Sequence, residues 1–190
     1  MSNLNIIDYN YNNPVIAQGS TGAGSKNTAT LDSIEKRINV LMSGIDHGIK
    51  IIDTAPSYEG GHSEEIVGKV LQQINRDEII LCTKFEPDSN SYNGVIRSID
   101  ESLDRLKTHY IDIYQAHWPN PEIPISETMG ALSELVDRGK IKNIGVCNFT
   151  KREILEAEEY LNNKKIVSAQ AEYNLNNRMA EDNLFEFCKR

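Results

Sequence analysis

Four side chains of different chemistry stand at or just past three short apolar runs. Asp53 follows Ile51-Ile52 and Tyr58 comes five residues later; Lys84 lies in "IILCTKF"; His117 closes "IDIYQAH". A carboxylate, a phenol, an ammonium and an imidazole together solve one problem. A phenol's reference pKa is near ~10, so at neutral pH it gives up its proton reluctantly. An ammonium beside a phenol favours the phenolate and makes the phenol a better donor. A carboxylate keeps that ammonium charged and in place. An imidazole next to the phenol can orient a carbonyl and donate to its oxygen. The set amounts to a proton donor aimed at a carbonyl oxygen while a hydride reaches the carbonyl carbon. None of the four can supply a hydride, so the chemistry calls for a nicotinamide cofactor. Asn148 and Gln170 offer donors and acceptors suited to a carboxamide.

These groups need elements to hold them. Short apolar runs occur at residues 15–17, 51–52, 79–81, 111–114, 144–146 and 166–169. Each is too short for a helix and rich in β-branched residues, which predicts strands. Amphipathic patterns lie between them. Residues 91–107 place Val95, Ile99, Leu103 and Leu106 on one face, and residues 126–138 do the same with Met129, Leu132, Leu135 and Val136, before Gly139 stops the helix. Ser63 reads as the N-cap of a helix carrying Ile66, Val67, Val70 and Leu71, and Thr150 with Glu153 as a capping box for the helix of Ile154, Leu155 and Leu161.

The order is β-α repeated about six times, which predicts a parallel sheet covered by helices, in one domain over residues 1–190. An open doubly wound sheet and a closed barrel both fit this order. The glycine-rich "AQGSTGAGSKNTAT" lacks a clean G-x-G-x-x-G, and neither a G-x-x-x-x-G-K-[ST] phosphate loop nor a G-x-S-x-G elbow is present. In parallel α/β folds, functional groups gather at the carboxyl ends of the strands. The fifth run ends in Cys147 and Asn148, and the sixth carries Gln170 and Glu172. Taken singly, Asp53 could cap a turn, Lys84 could snorkel to the surface, His117 could be a bonded core histidine and Tyr58 could be packing. Several polar residues on one rim point instead to a site. Trp118 and Pro119 are expected to shape the wall beside His117. Tyr92, Tyr110 and Tyr160 fall in or near helices, and His47, His62 and His109 are assigned to the surface.

Charge and composition narrow the class. The net charge of -8 argues against a nucleic-acid surface or a polybasic membrane patch. No apolar run reaches the ~18–20 residues of a membrane helix. The polar first twelve residues lack the pattern of a signal peptide. The three cysteines, Cys82, Cys147 and Cys188, have no ligand-like spacing, which points to a reduced, cytoplasmic chain and to no metal site.

The sequence resembles the aldo-keto reductase family. The motifs that carry the resemblance are "GIKIIDTAPSYEGGHSEEIVGKVL" (48–71), "LCTKF" (81–85), "IDIYQAHWP" (111–119), "GKIKNIGVCNF" (139–149) and "QAEYNLNNR" (170–178). The resemblance implies an α/β fold of the (β/α)8 TIM-barrel type and reduction of a small-molecule aldehyde or ketone with NADPH, NADH being the other candidate. It implies Tyr58 as general acid, Lys84 and Asp53 as its tuning pair and His117 as the group that orients the substrate, with Trp118 beside it. Asp53, Cys147, Asn148 and Gln170 are implied on the cofactor side. Cys147 stands where the family usually has a serine, and a thiol is the weaker hydrogen-bond partner.

A complete barrel of this type typically takes ~250 residues. Six strands are countable, so the expectation is an incomplete barrel of about six βα units, reaching "LFEFCKR" in the sixth helix. The family's aromatic platform for the nicotinamide, its pyrophosphate loops and its basic 2′-phosphate readers have no matching positions here. An open segment would leave two strand edges unpaired and its inner surface uncovered, which favours self-association. A fragment of a longer reductase, a short chain completed by another subunit and a decayed paralogue all fit that expectation. The rival reading is a binding or regulatory protein that keeps the fold without turnover.

Overall fold

The computed structural model describes residues 16–21 and 31–189. Strands and helices alternate: β1 (Ala17–Gly19), α1 (Leu31–Asp46), β2 (Ile51–Asp53), α2 (His62–Leu71), β3 (Ile80–Phe85), α3 (Tyr92–Leu106), β4 (Ile111–Ala116), α4 (Ile125–Asp137), β5 (Ile141–Cys147), α5 (Lys151–Glu158), β6 (Ile166–Gln170) and α6 (Ala180–Cys188). All five strand pairs are parallel, and the sheet order is the chain order, β1 to β6.

The sheet is curled into an incomplete barrel, and one contact shows it. Gln170 at the end of β6 donates from Nε2 to Asp53 Oδ2 at the end of β2, at 3.3 Å. In a flat sheet these strands would lie four spacings apart, about 19 Å. Two side chains of this size cannot span that gap, so the strand ends must bend toward one another. Small residues on the concave face permit the bend. A Cβ on Gly145 would sit 2.3 Å from Ser168 Oγ and 2.8 Å from Gln115 Cγ. With hydrogen there instead, Gln115 Nε2 reaches Ser168 Oγ at 3.3 Å across the strand between them.

The convex face carries the core. Ile52, Leu81, Phe85, Tyr114, Ile144 and Val146 are buried together with Val70, Val95, Ile99, Leu132, Leu135 and Ile154 of the helices. Each such side chain contributes roughly 1.5–3 kcal/mol of transfer free energy. The α3 stripe Val95, Ile99 and Leu106 follows the expected helical spacing. Ser91 Oγ caps this helix by accepting from Gly94 N–H, and Thr150 with Glu153 forms the expected capping box on α5.

Four details differ from the sequence reading. The first strand pairs over Ala17–Gly19 rather than residues 15–17. Gly19 is the partner of Asp53 in the register, and Ile16 is exposed; Val15 lies outside the described residues. The fifth strand starts at Ile141, because Ile141 pairs with Ile111 before the apolar run begins. Ser63 is not the cap of α2. Gly61, at φ 93, takes that position, and Ser63 is buried inside the first turn. The glycine pair Gly60-Gly61 has the left-handed backbone that lets the chain enter the helix early. His62 is not a bare surface residue: its Nδ1 lies 2.9 Å from Glu65 Oε2, with the side chain 28% exposed.

Candidate active site

The strand register brings Asp53, Lys84 and Tyr58 together. Lys84 is the fifth residue of β3 and faces the concave side, with its side chain only 1% exposed. Its Nζ lies 2.9 Å from both Asp53 carboxylate oxygens and 2.9 Å from the Thr54 carbonyl oxygen. It also donates to the Tyr58 hydroxyl at 3.4 Å and lies 5.1 Å from the centre of the Tyr58 ring. Burial alone would lower the lysine's pKa. The Asp53 charge and hydrogen bond, with Tyr58 adding in the same direction, outweigh it and hold Lys84 above the ordinary lysine value. The ammonium is therefore charged at neutral pH, in direct contact with a phenol oxygen.

Tyr58 opens a short turn before α2, and α1 steadies that turn. Arg37 pairs with Glu59, donates to the Ser20 carbonyl at 2.8 Å and to Ser63 Oγ at 2.9 Å. Ser63 Oγ in turn donates to the same Ser20 carbonyl at 3.3 Å. The buried serine thus ties the Tyr58 turn to the end of β1.

His117 follows β4, and its backbone N–H donates to the Phe85 carbonyl at 3.0 Å. Its ring stands edge-on to Tyr58, 6.1 Å between centroids at 81°. The Nδ1 atom lies 2.7 Å from Glu86 Oε1. Glu86 was missed in the sequence reading. A signal for it was available, since residues 84 and 86 share a face wherever strand alternation continues.

Asn148 sits past β5 with a left-handed backbone, φ 62. Its amide nitrogen donates to the His117 carbonyl at 3.0 Å and to Cys147 Sγ at 3.2 Å, and its backbone N–H donates to the Gln170 carbonyl at 2.8 Å. The side-chain oxygen of Asn148 has no hydrogen-bond partner among the described residues. That unengaged acceptor, with exposed Gln170 beside Asp53, fits the amide of a nicotinamide. Cys147 is buried and its thiol is pushed up to about 11 by burial, partly offset by Lys84, so it remains a neutral, weak partner. Trp118 is half exposed at the rim, and its backbone oxygen accepts from Asn90 Nδ2 at 3.1 Å; among the described residues no ring contact joins it to the four. No group of three or more metal-binding side chains occurs among the described residues. No helix among them is long and apolar enough to cross a membrane.

One cavity lies elsewhere. About 920 Å³ opens between β6, α5 and α6, with Ile154, Ile166, Val167 and Phe187 in its lining. It lies at the β6 end of the sheet, and its lining contains none of the four groups.

The inner face also predicts an alkaline weakness. Cys82 lies opposite Asp53 in the register, and burial together with Asp53 pushes its thiol up to about 12. An unfolded thiol ionises near ~8.5, losing a proton that the folded thiol keeps. Rising pH therefore favours unfolding from about pH 9 to about 12. Urea unfolding across that range should show falling stability, with a shallower slope in Cys82→Ala. Equal slopes in the two proteins would contradict this account.

Comparison with known proteins places these features. A model described as the aldo/keto reductase family matches residues 16–190. Aldo-keto reductase YhdN of Bacillus subtilis is 38% identical over 161 residues, covering 80% of this chain and 48% of its own length. The NADH-specific methylglyoxal reductase of Escherichia coli is 35% identical over 173 residues, covering 80% of this chain and 52% of its own. Among solved structures, the thermostable aldo-keto reductase Tm1743 in complex with the inhibitor epalrestat superposes with a TM-score of 0.85 at 38% identity, covering 92% of this chain and 64% of that one. An aldo-keto reductase from Klebsiella pneumoniae in complex with NADPH gives 0.84 at 31% identity, covering 93% and 60%. The chain spans about half the length of the curated relatives it matches.

Proposed function

The chain belongs to the aldo/keto reductase family, and we propose that it reduces a small aldehyde or ketone with hydride from NADPH, NADH serving as the alternative donor. The observation that carries this reading is the Lys84 ammonium held between the Asp53 carboxylate and the Tyr58 hydroxyl. The cofactor, when bound, supplies the hydride. Tyr58 gives its proton to the carbonyl oxygen. Lys84 stabilises the phenolate that remains, and Asp53 holds Lys84 in place. His117 borders the carbonyl oxygen, with Trp118 forming the outer wall. Asn148 and Gln170 would hold the carboxamide of the nicotinamide. Relatives named as methylglyoxal reductases make methylglyoxal a sensible first substrate. Cys82 and Cys147 are buried thiols that form no disulfide, which supports a reducing, cytoplasmic setting.

The proposal extends to the open side of the sheet. Among the described residues β6 pairs only with β5, and Val167, Leu175 and Met179 beside it are exposed. An unpaired edge flanked by apolar side chains favours self-association. One experiment tests both parts: titration of NADPH and NADH against the fluorescence of Trp118, the only tryptophan, with sedimentation on the same samples. Saturable quenching is expected, weakened about tenfold in Asn148→Ala, the loss of roughly one hydrogen bond. Sedimentation is expected to show mass rising with concentration. A folded chain that binds neither cofactor would favour the binding or regulatory reading, and a strict monomer would remove the self-association part.

A further inference from the structure

Glu86 lies just past β3, and its carboxylate contacts His117. The side chains are 14% exposed for His117 and 32% for Glu86. An ionised carboxylate only accepts hydrogen bonds, so the proton in the 2.7 Å contact sits on Nδ1. A neutral imidazole carries a single N–H. With that hydrogen on Nδ1, Nε2 is bare. Among the described residues Nε2 has no hydrogen-bond partner, and the ring stands nearly perpendicular to that of Tyr58.

We infer that Glu86 is a positioning residue that fixes His117 as the Nδ1–H tautomer, so that His117 offers a bare acceptor at Nε2 when neutral and a donor there only when protonated. The consequence for turnover rests on the carbonyl-reductase reading; the tautomer itself does not. A carbonyl oxygen brings only lone pairs and needs a donor. An alcohol brings an O–H that a bare Nε2 can accept. Glu86 therefore links the protonation of one ring to which partner it holds, carbonyl or alcohol. The other ionisable groups of the site are Tyr58 before α2, Asp53 on β2, Lys84 on β3 and Cys147 on β5. Lys84 is held charged, and the Cys147 thiol is pushed up to about 11, so neither changes charge over the pH 5–8 range in which imidazoles ordinarily titrate.

The test is long-range ¹H–¹⁵N correlation NMR on the full chain, with the four histidines told apart by the signals lost in His117→Asn. At a pH where the ring is neutral, Nδ1 should resonate as a protonated nitrogen and Nε2 as a bare one. Glu86→Gln keeps an acceptor oxygen in place and should retain that pattern. Glu86→Ala should lose most of the Nδ1–H form in favour of Nε2–H. An Nε2–H ring in the wild-type protein, or an unchanged Nδ1–H ring in Glu86→Ala, overturns the inference. Should Glu86→Ala fail to fold, the wild-type and Glu86→Gln spectra decide it. These readings need neither cofactor nor turnover, so a failed reductase assay leaves them intact.

Discussion

Tyr58→Phe is expected to lower carbonyl reduction by about 10²–10⁴-fold, the usual contribution of a positioned general acid. The change removes one oxygen and keeps the ring. The edge-on contact with His117 at 6.1 Å is preserved, as is the ring's place beside Lys84. Lys84 loses a 3.4 Å contact but keeps both Asp53 oxygens and the Thr54 carbonyl, each at 2.9 Å. The cost to folding should therefore stay within the net worth of one hydrogen bond, ~0.5–1.5 kcal/mol. Cofactor affinity should hardly move, because the residues assigned to the carboxamide are Asn148 and Gln170. The loss should thus fall on kcat, which separates a missing acid from a damaged fold. The measurement is NADPH consumption with methylglyoxal, in a form of the protein that turns over, together with urea unfolding of both variants. Turnover in Tyr58→Phe within threefold of wild type would sink the assignment of Tyr58 as the acid.

How much of this site could be read from sequence depended on how local each signal was. Asp53, Lys84 and His117 were legible because each follows or ends an apolar run, where parallel folds place working groups. Asn148 and Gln170 followed by the same reasoning. Glu86 lies on the face that Lys84 marks, but nothing in "KFEP" says that it meets a histidine 31 positions away. Arg37 is harder still. It steadies the Tyr58 turn from α1 through Glu59, Ser20 and Ser63, contacts set by helix packing rather than spacing. Ser63 was misread because a serine before an apolar helix normally caps it, whereas Gly60-Gly61 started this helix sooner. The choice between an open sheet and a barrel was out of reach of periodicity, since both give the same alternation. Curl depends on the size of residues on the concave face, as at Gly145 against Ser168 and Gln115.

The dependence of the site on Asp53 is a matter of stability as well as chemistry. Asp53→Ala is expected to destabilise the protein by about 3–5 kcal/mol, the range for removing one partner of a buried ion pair. The lysine left behind is 1% exposed, so water cannot readily replace two lost carboxylate contacts. Asp53→Asn should cost less, because it keeps the shape and one acceptor while losing the charge. Asp53→Ala combined with Lys84→Met should recover part of the loss, since an apolar pair needs no compensation. The pH dependence has a definite sign. Lys84 is held above its ordinary value in the folded protein, so its stabilising contribution is complete below the unfolded value of ~10.4. It is lost as pH rises through the folded value. The gap between wild type and Asp53→Ala in urea unfolding should therefore be constant from about pH 7 to 9 and should close at higher pH. A gap below ~1 kcal/mol at pH 7 would mean that the Thr54 carbonyl, the Tyr58 hydroxyl and entering water satisfy the ammonium by themselves. In that case Asp53 would lose its role as the anchor that keeps Lys84 charged against Tyr58, and the tuning of the phenol would have to come from Lys84 alone.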